Sequence, residues 1–108
     1  MKKIELIEGT FVPKERIAYA TGSIVSQELV HNSAGNLTLF SFDEGQQLSE
    51  HTAPFDAIVQ ILDGQADIRV GGVLHPVKEG EMLIMPANVP HALYAATRFK
   101  MLLTMIKG

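Results

Sequence analysis

Two histidines, His51 and His91, stand at matching points of two similar stretches of sequence. The first stretch runs Gly45-Gln46-Gln47-Leu48-Ser49-Glu50-His51, and the second runs Gly80-Glu81-Met82-Leu83-Ile84-Met85-Pro86-Ala87-Asn88-Val89-Pro90-His91. Each sets an imidazole on a strand-like segment after a glycine-led turn. An imidazole can ligate a metal, exchange hydrogen bonds, or act as a general base near neutral pH. Three readings follow. The pair holds a divalent metal (Zn, Fe, Ni or Mn) with a third protein or water ligand, or it lines a cavity as hydrogen-bonded polar groups, or one ring is a base in a metal-free reaction. A two-histidine, one-carboxylate site needs an acid on the same face. Asp56 is the best candidate, but strand parity turns it away from 51, 53 and 55 unless a bulge shifts the register. Glu50 fails the same test. His31 lies beside a polar turn and reads as solvated; His75, just before Pro76, reads as a packing or surface residue.

Short apolar or β-branched runs alternate with turn formers at intervals of about ten residues, the pattern of an all-β sandwich or barrel. Leu37–Phe42 is one such run, entered through the turn-rich 32–36. Ala57–Leu62 and Ala66–Val70 flank Asp63-Gly64, a dipeptide that predicts a hairpin turn because it tolerates positive φ. Val73–Val77 carries Pro76, which lacks an amide donor and predicts an edge strand or bulge. Met82–Met85, His91–Ala95 and Phe99–Ile106 complete the set. Glu28–His31 has a weak helical look, although Ile24-Val25 before it reads as strand. Phe11–Gly22 has no clear period, and is expected to wrap the barrel or pair with a neighbouring subunit.

These segments resemble the cupin superfamily, which implies an antiparallel β-barrel of the jelly-roll type. Gly45, His51 and Gly64 fall on the first motif of that family, and Gly80, Pro86 and His91 fall on the second. The resemblance covers about residues 35–105, so 35–108 is taken as the barrel core and 1–34 as N-terminal strands or an arm packing on the barrel or a dimer partner. Four motif positions depart from the pattern. Ala53 stands where the family has its second His, Ala57 where it has a Glu, Asn88 where it has a Gly, and Ala95 where it has an Asn. Asn88 can supply the left-handed backbone a glycine would give. Ala53 and Ala57 remove ligands: of the three His and one Glu that hold a metal in typical cupins, only His51 and His91 remain.

The alanines should also leave a roomier, more apolar pocket, walled by Ala53, Phe55, Ala57, Met85 and Met101, with Met82 a further candidate. Alternation from Ala57 places Gln60 outside with Ile58 and Leu62, whereas a register shift near Pro54 would bring it into the pocket. The implied ligand is a small, mostly apolar organic molecule with one polar group near the histidines. A small-molecule-binding cupin with a reduced metal site is the leading reading, beside a metal-dependent dioxygenase or isomerase and a partner-binding module.

The bulk composition narrows the field further. At 108 residues there is room for one domain. A net charge of −3 with scattered basic residues argues against nucleic acid as the partner. The absence of cysteine removes disulfides and thiolate chemistry. Lys2-Lys3 could open a signal peptide, but Glu5 and Glu8 interrupt its apolar stretch, and no run is long enough to span a membrane. A cytoplasmic protein is expected. Apolar residues on both faces of Ile58–Leu62 and Met101–Ile106 leave outer surface to cover, and with the family resemblance imply a homodimer.

Overall fold

The computed structural model describes residues 9–107. Lys2, Lys3, Glu5 and Glu8, with the rest of residues 1–8, lie outside the described residues. The eight strands are β1 (Ile24–Asn32), β2 (Gly35–Phe42), β3 (Gln47–His51), β4 (Asp56–Val70), β5 (Val73–Lys78), β6 (Met82–Met85), β7 (His91–Tyr94) and β8 (Phe99–Ile106). No helix among the described residues is long and apolar enough to cross a membrane. The strands pair antiparallel throughout and curl into a jelly-roll barrel of two facing sheets. The first sheet joins β1, β2, β8, the first half of β4, and β6; the second joins β5, the second half of β4, β7 and β3. The weak helical look of Glu28–His31 loses to pairing with β2, and β1 stays extended through a register shift between Glu28 and Val30.

Alternation sets the core. Phe42, Ala57, Val59, Ile61, Ile68, Leu93, Phe99 and Met101 point between the sheets and are almost fully buried. Phe42 and Phe99 stack there with ring centroids 4.5 Å apart. Pro76 sits on β5, which among the described residues pairs only with β4, so its missing donor falls on an edge strand as expected.

Asp63-Gly64 does not form the expected hairpin. The chain runs on as a single strand of 15 residues, and a register shift against β8 falls between Ile61 and Asp63. Gly64 still takes positive φ (+75°), but in a strand corner where β4 passes from one sheet to the other. Turn and corner both need that backbone, so the dipeptide alone does not separate them. The close approach of β8 decides: a Cβ on Gly64 would collide with the Arg98 carbonyl oxygen. The real hairpin turn comes later, at Gly71-Gly72.

The segment from Phe11 to Gly22 wraps this same molecule. It makes one 3-10 turn at Pro13–Glu15 and buries Ile17 to 5% exposure. The Ser41 hydroxyl donates to the Ala18 carbonyl (2.8 Å), the Tyr19 phenol to Asp63 Oδ2 (2.6 Å), and Lys100 Nζ to the Lys14 carbonyl (2.7 Å). Burial, reinforced by the Asp63 carboxylate, pushes the Tyr19 phenol well above its usual range, so it remains a donor. Arg98 lies 4.4 Å from the Tyr19 ring centroid and completes the clasp. Leu39 and Ser41 alternate with the inward Phe40 and Phe42 yet are wholly buried, because this wrap lies against the outer side of the first sheet. Beyond the wrap, Met82 and Ile84 of β6 and Ile106 of β8 remain about half exposed.

Candidate functional site

The site forms where β3 meets β7. Leu48 pairs with Leu93 and His51 with His91, so two residues of β3, Ser49 and Glu50, oppose the single residue Ala92 of β7. This is a β-bulge, and bulges re-aim side chains. Without the extra residue, His51 would point to the opposite face from Leu48. With it, both histidines lie on the side that carries Leu93 and Ala95 into the core. His91 is 6% exposed, whereas His51 stands exposed at the rim.

The two rings meet edge to face, with centroids 4.2 Å apart and planes at 67°. His51 Nδ1 is 2.8 Å from the Ser49 carbonyl, and His91 Nδ1 is 3.3 Å from the Val89 carbonyl. A carbonyl oxygen only accepts, so each Nδ1 carries the proton and each Nε2 presents a lone pair. Burial lowers the His91 pKa; the Val89 carbonyl opposes that shift, and neighbouring His51 adds to it. His91 is therefore a neutral acceptor at pH 7.

A turn across residues 86–89 holds His91 in place. Asn88 takes φ +63°, the left-handed value expected for the position where the family has glycine, and its amide donates to the Ala53 carbonyl (2.8 Å). Asp56 does not reach the histidines. Its carboxylate instead accepts the Ala87 amide at 2.9 Å and fastens the same turn. Among the described residues no group of three or more His, Cys, Asp or Glu could share a metal ion. The donor set thus does not fit the four-ligand metal centre of the family, and two imidazoles alone make an open, exchangeable site.

The other expected pocket residues separate. Ala57 and Met85 are register partners, 3% exposed each, and with the 1% exposed Met101 they belong to the inward-facing core. Ala53 and Phe55 are half-buried in the link from β3 to β4, and Lys107 Nζ lies 5.4 Å from the Phe55 ring centroid. Gln60 does not join them. It alternates with the inward Val59 and Ile61 and pairs with Leu102 and Met82 on the outer face. The register shift in β4 comes only after Ile61, too late to turn Gln60 inward. Met82 also lies outside, 58% exposed. His31 is 3.4 Å from Glu28 on the surface, and half-buried His75 stands opposite Ile68.

A curled antiparallel barrel of two facing sheets with a histidine pair where β3 meets β7 defines the jelly-roll class to which the two motifs point. The family model of the Cupin domain matches residues 38–107, and the chain belongs to that family. It is similar over its whole length to a conserved Streptococcus pyogenes protein of unknown function, with 36% identity, a TM-score of 0.91 and 96% of that chain covered. It is also 43% identical to a cupin 2 conserved barrel domain protein from Leptotrichia buccalis, with a TM-score of 0.85 over 87% of this chain; it spans 46% of that longer chain. A cupin superfamily protein from Desulfitobacterium hafniense is 26% identical, with a TM-score of 0.89 over 98% of this chain and 97% of its own. Comparison with curated proteins gives no match.

Proposed function

We propose that this cupin binds a small organic molecule at the His51–His91 pair without needing a resident metal. The observation that carries the proposal is the anchoring of both Nδ1 atoms to backbone carbonyls, which leaves an Nε2 acceptor on each of two rings whose centroids are 4.2 Å apart. Adjacent acceptors call for a ligand that donates, through a hydroxyl or an N–H group. Partly buried Leu48, Val70, Leu103 and Met105 pack at the edge of the core and offer apolar surface to the rest of the ligand. The same anchoring supports a second reading, since an imidazole tied through Nδ1 is also disposed to ligate through Nε2. In that reading a Zn, Fe, Ni or Mn ion is held weakly by the two rings.

Thermal-shift screening with small apolar alcohols, phenols and amides, with and without EDTA or added Zn²⁺, Ni²⁺, Mn²⁺ or Fe²⁺, separates the two. We expect hits that persist in EDTA, lose affinity about tenfold or more in His91→Asn, and weaken in acid. The sign follows from the neutral ring: binding is present at pH 7 and is lost as the pH falls through the lowered His91 pKa. Hits that appear only with metal would replace the first reading with the second. Hits unaffected by His51→Ala and His91→Asn would remove the site from both.

The proposal also includes a homodimer, formed through the apolar outer area around Met82, Ile84 and Ile106. Ile84→Glu is expected to sediment as a monomer where the parent sediments as a dimer. A parent that is monomeric at high micromolar concentration would overturn this part.

A further inference from the structure

The bulge that turns His51 inward also builds a depression on the opposite side of the same strands. Ala92, opposed by Ser49 and Glu50, alternates with the inward His91 and Leu93 and so faces out. Its neighbours on that side are large: Tyr94, paired with both Gln47 and Asp67, and Arg69, paired with both Ala92 and Leu74. A small residue ringed by long ones leaves a hollow, and a cavity of about 550 Å³ lies there, lined by these side chains. That volume is on the scale of sites that take small molecules.

The chemistry of the hollow is mixed and ordered. Arg69 supplies one cation, and Asp67 and Glu50 supply two carboxylates. Among the described residues the one ion pair within 4.0 Å is His31–Glu28, so none of these three groups is paired with another described residue. Tyr94 and Leu74, 44% and 46% exposed, give apolar surface beside them. A simple anion would be repelled by the two acids, and a simple cation would leave the Arg69 guanidinium unmatched. A molecule with an anionic and a cationic group a few ångströms apart, plus an apolar or aromatic portion, matches all three features.

We propose that this outer hollow is a second binding site, separate from the histidine pair, for a small amphipathic zwitterion of the free α-amino acid class. The carboxylate lies on Arg69, the ammonium between Asp67 and Glu50, and the apolar portion against Tyr94 and Leu74 over the Ala92 floor. Ser49 links this site to the other one, because its carbonyl accepts the His51 Nδ1 proton.

The test uses the full chain, ¹⁵N-labelled and titrated with L-phenylalanine, phenethylamine and 3-phenylpropanoate, the last two each lacking one charge. The expected result is saturable shifts of the Arg69, Ala92 and Tyr94 amides, with L-phenylalanine binding at a Kd of about 1 mM or below. Both singly charged analogues should bind about tenfold more weakly or worse. Arg69→Gln should abolish the preference of L-phenylalanine over phenethylamine, and Ala92→Leu should fill the floor and remove the shifts. The proposal is overturned if those amides do not move, if phenethylamine matches the zwitterion, or if both variants, folded by their spectra, bind as the parent does.

Discussion

Phe99→Ala is expected to destabilise the protein by about 3–5 kcal/mol, the usual cost of truncating a fully enclosed aromatic residue. Phe99 has no exposed surface and stacks on Phe42, itself fully buried, at 4.5 Å with planes 18° apart. The loss therefore includes burial, the void left behind, and about 0.5–1.5 kcal/mol from the aromatic pair. Domains of this size hold only about 5–15 kcal/mol in all, so this one change removes a large share. Urea denaturation of the parent, Phe99→Ala, Phe42→Ala and the double variant would measure it, with the cycle isolating the pair. A loss under about 1 kcal/mol would mean the two rings are not the packed centre described above.

Gly64→Ala is expected to cost about 3 kcal/mol or more, combining left-handed backbone strain with a forced shift of β8. The proper control is Gly80→Ala. Gly80 has φ +86°, close to the +75° of Gly64, but a Cβ there meets nothing within 4 Å. At Gly64 the new methyl would collide with the Arg98 carbonyl and lie 3.1 Å from Phe99 Cα. Backbone strain is common to both variants, about 1–2 kcal/mol, so any excess at Gly64 reports the strand contact. Equal midpoints for the two variants in thermal or urea denaturation would show that β8 does not press on this corner.

These two positions also show which parts of the fold can be read from the chain. Periodicity located most strands because inward residues recur every second position, and β6 (Met82–Met85) and β8 (Phe99–Ile106) begin and end where their apolar runs do. The facing of His51 and His91 was legible because two glycine-led segments carry them to corresponding strand ends. Asp63-Gly64 misled because its local signal is the same for a turn and for a corner. The deciding contact comes from Arg98, 34 residues later. Gln60 was ambiguous for a related reason: its face depends on where the register slips, which is a property of pairing with β8. The outer hollow had no readable signal, since Tyr94 and Arg69 become neighbours only through the β4–β7 register and Glu50 joins them only once the bulge fixes β3 against β7. The wrap of Phe11–Gly22 likewise rests on single polar contacts, Tyr19 to Asp63 and Ala18 to Ser41, which leave no period behind.

The long strand β4 carries a consequence for how the molecule comes apart. It hydrogen-bonds to β8 and β6 through its first half and to β5 and β7 through its second. Neither sheet can separate from the other without stripping a partner from this one segment, so the barrel has no natural line along which its two sheets part. Its buried stretches, residues 57–61 and 66–68, are expected in the last-protected class of amides, those that exchange with solvent only when the whole domain unfolds. The histidine pair and the outer hollow both depend on β3, which among the described residues pairs with β7 and not with β4, so they can loosen at that edge while the frame around β4 holds.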